Sequence, residues 1–139
     1  MINFILNSDD LIYRDISDNI EIIETHDPKI IEYCIEMFNV DIKWDYMFDI
    51  DEAQNRILNG HKLFVAYYQK IIYGYCWLND NIIYNVFSKQ HTGKRNYGAT
   101  DMIYLVIKNH TNGPVKSFVD EWNEKSINVF KKLGFNLNL

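Results

Sequence analysis

The residues best placed to do chemistry lie in the segment "FSKQHTGKRNYGATDMIYLVIK", Phe87 to Lys108. A strand-like run feeds a loop with two glycines, Gly93 and Gly98, and the loop opens a helical run. Such a junction holds anions, because the first backbone N–H groups of a helix lack intrahelical partners and the helix dipole favours negative charge there. Glycine lets the backbone approach a phosphate closely. Lys94 and Arg95 in the loop, Lys89 before it and His91 between them add positive charge. This cluster is too small for a duplex footprint and suits one small anionic ligand. The plain alternative is a solvated loop that starts a helix.

A second informative stretch closes the chain: "SFVDEWNEKSINVFKKLGFNL", Ser117 to Leu137. It reads as a strand, then Asp120 and Glu121 as turn residues, then a helix with Ile127, Phe130 and Leu133 on one face. Asn123 stands where a helix N-cap is expected and Gly134 where the C-terminal left-handed residue is expected. Phe130 is most simply a core residue of that helix.

Other elements must position these two stretches. "IEIIET", Ile20 to Thr25, reads as a strand, and "MINFIL" before it as a possible short one. Asp27 and Pro28 fit an N-cap and first helical position, and Ile30, Ile31, Cys34, Ile35 and Phe38 recur at helical spacing. A short helix is expected from Asp51 to Leu58, ended by Asn59-Gly60. Three strands follow, Lys62 to Tyr68, Ile71 to Leu78 and Ile82 to Ser88, separated by Gln69-Lys70 and Asn79-Asp80-Asn81. Their β-branched and aromatic density and short polar breaks predict antiparallel hairpins. Gly74 inside the second marks a bulge or a close backbone approach. "DMIYLVIKNH" is apolar nearly all round, as for a helix buried against a sheet. The expected order is β-α-α-β-β-β-α-β-α-β over residues 1–139 as a single domain. The fold class is α/β (α+β), a mixed, mostly antiparallel central sheet with helices on both faces.

Composition narrows the function. The chain has 139 residues, 47% of them hydrophobic and 15% aromatic, which supports a packed globule. The net charge of −5 disfavours nucleic acid as a partner. No apolar run approaches the about 20 residues of a membrane span, and no basic leader precedes the first strand. The expectation is a soluble cytoplasmic protein with no membrane partner, whose two cysteines, Cys34 and Cys76, are reduced and packed. Neither a CxxC pair nor a His/Cys cluster is present, so no metal site is expected.

The element order and the two stretches together resemble the GNAT superfamily of acyl-CoA-dependent N-acyltransferases. In that family a Gln/Arg-x-x-Gly-x-Gly/Ala loop cradles the pyrophosphate of coenzyme A. Arg95-Asn96-Tyr97-Gly98-Ala99-Thr100 fits with Thr100 in place of the last small residue. Gln90-His91-Thr92-Gly93-Lys94-Arg95 fits in part; the first setting is preferred because Ile103 then falls at the apolar helical spacing. The family also often ends with Asn-x-x-Ala, an aromatic residue and Lys-Leu-Gly-Phe. Here these are Asn123, Ser126 for the alanine, Phe130, and Lys132-Leu133-Gly134-Phe135. The resemblance covers about residue 20 to the end. It implies acetyl-CoA, or another acyl-CoA, as co-substrate. Gly93, Lys94, Arg95, Tyr97, Gly98 and Ala99 would hold the phosphates, and Asn123 the cofactor arm. A bulge near Asn85, Val86 and Phe87 would present backbone groups to the pantetheine amides.

Transfer of an acyl group from a thioester to an amine needs a neutral amine, a polarised carbonyl and often a proton for the leaving thiolate. In the family a tyrosine of the last helix commonly gives that proton. Phe130 stands in its place and has no acidic hydrogen. The strand before the loop offers Tyr84, Asn85 and Ser88 but no carboxylate. Glu121, Ser126 and Tyr97 are the candidate substitutes, with Asp120 and His91 nearby. The implied function is N-acyltransfer, with acetyl as the expected group, to a small-molecule or protein amine, with the acidic charge tilting toward a cationic acceptor. Trp44, Tyr46 and Trp77 suit an acceptor pocket, though aromatic core is their simpler reading. A homodimer is compatible with the aromatic content. The rival reading is a catalytically degenerate GNAT-like CoA-binding, regulatory or interaction protein. The Ile-, Asn-, Lys- and Tyr-rich usage adds a phage or other mobile element as a source.

Overall fold

The polar breaks at Gln69-Lys70 and Asp80-Asn81 form two-residue turns in which all four residues have positive φ, between 49° and 67°. This twist matches that of paired strands, so each break makes a tight hairpin. The structure, a computed structural model, describes residues 1–39, 49–89 and 98–138, and side chains in the first of these to residue 36. The elements in chain order are β1 (Ile2–Leu6), β2 (Ile20–Glu24), α1 (Pro28–Asn39), α2 (Ile50–Leu58), β3 (Lys62–Tyr68) and β4 (Ile71–Asn79). Then come β5 (Ile82–Ser88), α3 (Ala99–His110), β6 (Val115–Val119), α4 (Glu124–Leu133) and β7 (Asn136–Leu137).

The expected order is present, preceded by one more strand. β1 lies inside the sheet, whose order is β2-β3-β4-β5-β6-β1-β7. It is antiparallel to both β6 and β7. Phe4 and Leu6 of β1 are fully buried, as are Val115 and Ser117 of β6. An alternating five-residue strand at the chain start thus becomes a core element only because β6 receives it. Among the described residues every strand pair is antiparallel except β5 with β6.

Alternation along the strands sends side chains to two cores. Phe64, Ala66, Cys76 and Leu78 pack on one face with Met102, Ile103 and Val106 of α3 and Phe130 and Leu133 of α4. Leu63, Val65, Tyr75 and Trp77 pack on the other with Ile31 and Cys34 of α1 and Ala53 of α2. Cys34 and Cys76 are free, buried thiols on opposite faces. Among the described residues no helix is long and apolar enough to cross a membrane, and no group of three metal-ligating side chains comes together.

The caps agree with the local sequence. Asp27 Oδ1 accepts from the Lys29 amide at 2.9 Å and Asp49 Oδ1 from the Glu52 amide at 2.8 Å. The second helix therefore starts one residue before Asp51. Gly134 closes α4 at φ 105°, and a Cβ there would stand 2.2 Å from the Asp10 carbonyl oxygen. Only glycine suits that position. Gly74 holds a close approach instead: a Cβ would meet the Phe87 carbonyl at 2.7 Å, next to a register shift between Ala66 and Tyr67.

Candidate active site

β5 and β6 pair only at Ile82↔Lys116 and Ile83↔Ser117, and then part. Parallel strands that separate leave a wedge whose walls carry backbone N–H and C=O groups without ladder partners. On the opposite edge of β5 the ladder to β4 is also disturbed. Tyr75 faces Phe87 and Trp77 faces Tyr84, so Asn85 and Val86 together oppose Cys76. This is a β-bulge, and Asn85 sits in it at φ 46°. Asparagine tolerates this left-handed conformation better than the β-branched residues around it.

The wedge holds a cavity of about 270 Å³ lined by Tyr84, Asn85 and Val86 on one side and Ser117 to Asp120 on the other. Asn123, Ser126 and Phe130 of the last helix region close it, together with Met1. The Asn123 side chain accepts from the Ser126 amide at 3.2 Å, so it caps α4 and faces the cavity at once. Phe130 is 2% exposed, stacked near Phe4 at 6.0 Å between centroids and edge-on to Phe135 at 5.0 Å. It is a core residue with one edge on the cavity.

The other candidates are placed as follows. Asn85 and Val86 line the cavity, whereas Phe87 stacks on Tyr75 with centroids 5.8 Å apart. Gly98 precedes α3 in extended conformation, with no side-chain cap on the helix, and Ala99 is its first residue. Gly93, Lys94, Arg95 and Tyr97, with His91, lie outside the described residues, as do Trp44 and Tyr46. Ser126 lines the cavity and Glu121 does not. The Glu121 carboxylate is highly exposed and 3.6 Å from the Met1 amine. Its neighbour Asp120 does line the cavity. Trp77 is fully buried, with the Arg56 guanidinium 5.0 Å above its ring.

Sequence reasoning missed two residues at the bulge. Arg56 of α2 donates to Asn85 Oδ1 at 3.0 Å and to Glu52 Oε1 at 2.9 Å. It also lies 5.3 Å from the Tyr84 ring centroid. His61, just before β3, shares a hydrogen bond between its Nδ1 and the Tyr84 hydroxyl. Burial pushes the Tyr84 hydroxyl pKa up, and the Arg56 charge and hydrogen bond oppose that rise. Sequence distances of 23 and 29 residues hid both contacts. The only local signal was an asparagine inside a β-branched strand.

At the far end of β5 stands the start of α3. Its first turn carries Asp101, 5% exposed, which takes two hydrogen bonds from Arg14, at 3.1 and 2.9 Å. This pair joins the segment after β1 to α3.

No protein-family model matches the sequence, and no curated protein matches it. Solved structures do. A Drosophila protein superposes with a TM-score of 0.71 at 12% identity, over 99% of this chain and 47% of that one. A GCN5-related N-acetyltransferase from Kribbella flavida gives 0.56 at 8% identity, over 98% of this chain and 53% of that one. The yncA protein of Salmonella typhimurium, solved with its cofactor acetyl-CoA, gives 0.57 at 18% identity, over 88% and 82%. The chain thus spans about half the length of the first two. The bulged β5, the parallel β5–β6 pair that opens beyond it and these superpositions agree: the chain has the fold of the GCN5-related N-acetyltransferases, in a divergent sequence.

Proposed function

We propose that the chain is an acyl-CoA-dependent N-acyltransferase, with acetyl-CoA as the first donor to test and an amine, on a small molecule or a protein, as acceptor. One observation carries this reading: the wedge between β5 and β6, with the Asn85 bulge at its narrow end and the open N-terminus of α3 beyond its wide end. From Tyr84 to Ser88 β5 extends roughly 13 Å at the usual rise per residue. A ligand with a diphosphate at one end and an amide-bearing arm fits such a track. The phosphates suit the α3 amides, and the arm suits the unpaired edges of β5 and β6.

Asn85 and Val86 would hold the arm through backbone groups, with Asn123 and Ser126 contributing side-chain polarity. The acceptor would approach from the face covered by α1 and α2, where Tyr84 and Arg56 lie. The bound co-substrate supplies an activated acyl group. The protein contributes orientation, which by itself accounts for much of an acyl transfer. The net charge of −5 supports a cationic acceptor such as a polyamine, an aminoglycoside or a basic peptide.

Release of free thiol from acetyl-CoA, measured with a panel of such amines, tests the reading. Amine-dependent release supports it. Tight acetyl-CoA binding with no release for any amine supports the second reading, a CoA-binding module, which the position of Phe130 at the cavity favours.

A further inference from the structure

The rung Ile83↔Ser117 is the last that joins β5 to β6, and the first residues past it are Tyr84 and Phe118. Phe118 alternates along β6 with Ser117 and Val119, which are buried, Val119 in the core shared with α3 and α4. Phe118 therefore lies on the other side of the sheet, the side that α1 and α2 partly cover. Tyr84 packs on that same side. Both line the cavity, one from each strand.

Beyond the two rings the β6 wall turns polar. A turn follows β6, closed by the Asn123 amide donating to the Asp120 carbonyl at 3.0 Å and fastened to α4 by the Asn123 cap. Asp120 and Val86 each stand three residues past the last rung, and both line the cavity, so the turn and the bulge bound it together. Among the described residues that line it, Asp120 alone carries an acidic or basic side chain. The other charges nearby are matched. Arg56 pairs with Glu52 at 2.9 Å, and the Met1 amine lies 3.6 Å from Glu121. Among the described residues none makes an ion pair or side-chain hydrogen bond with the Asp120 carboxylate.

A carboxylate at a cavity with aromatic walls, and with no cation of its own, suits an ammonium group. Charge-assisted hydrogen bonds hold the nitrogen, and ring faces attract positive charge. One carboxylate matches one ammonium, and two rings match an apolar body. We propose that Asp120 selects the acceptor, holding the ammonium form of an amine whose apolar body lies between Tyr84 and Phe118. This rests on the acyltransferase reading and narrows its acceptor to a compact monoamine that carries a ring or similar apolar group. An amine held there lies beside the Asn85–Val86 backbone, to which the arm of the co-substrate is assigned.

The test uses the whole chain saturated with coenzyme A, which has no acyl group to transfer, and benzylamine as the probe. Calorimetry is expected to show saturable benzylamine binding that Asp120→Asn weakens about tenfold or more, and Asp120→Ser likewise. Benzyl alcohol, of the same shape and no charge, should bind wild type and Asp120→Asn within about twofold of each other. Coenzyme A should bind both within about threefold, which also reports that the variant is folded. In thiol release from acetyl-CoA, Asp120→Asn should raise KM for benzylamine about tenfold and leave kcat within about threefold. Equal benzylamine affinity in wild type and both variants overturns the assignment, and so does a fall in kcat with KM unchanged. A chain that binds coenzyme A and no benzylamine overturns it too. Each of these leaves the acyl-CoA reading standing. A chain that binds no coenzyme A overturns that reading and the assignment with it.

Discussion

Arg56 Nη1 donates to Asn85 Oδ1 at 3.0 Å, so the helix α2 holds the one residue of β5 that leaves the ordinary strand conformation. The bulge is thus fixed from outside the sheet, by a side chain that also lies over Trp77 and Tyr84. A strained backbone position persists when its surroundings determine it.

This arrangement predicts opposite results for two substitutions. Asn85→Gly keeps the φ of 46° without strain and should change stability by less than about 1 kcal/mol. Asn85→Val must carry a branched Cβ in the left-handed region and should cost about 1–2 kcal/mol. It should also weaken acetyl-CoA binding about tenfold, since the cavity wall moves with the bulge. Urea denaturation and calorimetry check both. Equal stability of the two variants would show that Asn85 does not need its conformation.

Phe130 invites a gain-of-function test. Its ring is packed between Phe4 and Phe135 with one edge on the cavity. If acyl transfer here proceeds by orientation of the two reactants, Phe130→Tyr should leave thiol release within about threefold of wild type. A rise of about 10²-fold would mean that the last helix is the proper place of the acid and that the site had lost it.

The thiols give a pH-dependent prediction. Burial pushes both Cys34 and Cys76 from an ordinary value of 9.0 up to about 12. At pH 8 a thiol so shifted holds about a thousandfold less thiolate, so neither should react with a disulfide reagent in the folded protein within minutes. Both should react at once in guanidinium. The sign for stability follows. Above pH 9.0 the unfolded chain loses thiol protons that the folded chain keeps, so stability should fall as pH rises from 9.0 toward 12. Rapid labelling of either thiol at pH 8 would contradict their placement in the two cores.

The hairpin at Gln69-Lys70 offers a stability test far from the cavity. Both residues occupy positive φ, at 49° and 67°, in a turn that prefers Asn-Gly. Replacing the pair by Asn-Gly should stabilise the protein by about 0.5–1 kcal/mol, read as a rise of a few degrees in Tm. A fall in Tm would mean that the two strands do not meet through this turn.

Much of the architecture was legible from periodicity. The three central strands, the α3 and α4 helices and the Gly134 stop each carry a local signal, and local signals survive folding. The place of β1 was not legible, because nothing in "INFIL" says which strand will receive it; β6, more than 100 residues later, decides that. The cavity was legible in part. A bulge in β5 lies at Asn85, as the resemblance implied, and Asn123, Ser126 and Phe130 line the cavity beside it. Arg56 and His61 did not, since their partners are reached only through the stacking of α2 and β3 against β5. β6 ends at Val119, so strand alternation no longer places Asp120 and Glu121; Asp120 lines the cavity and Glu121 is exposed beside the Met1 amine.

The most direct test of the central claim is isothermal titration of the intact chain with acetyl-CoA. The cleft between β5 and β6 predicts saturable binding, close to one ligand per chain, with a Kd below about 1 mM. No heat at millimolar acetyl-CoA, at two temperatures so that a zero enthalpy is not mistaken for absence, would contradict it.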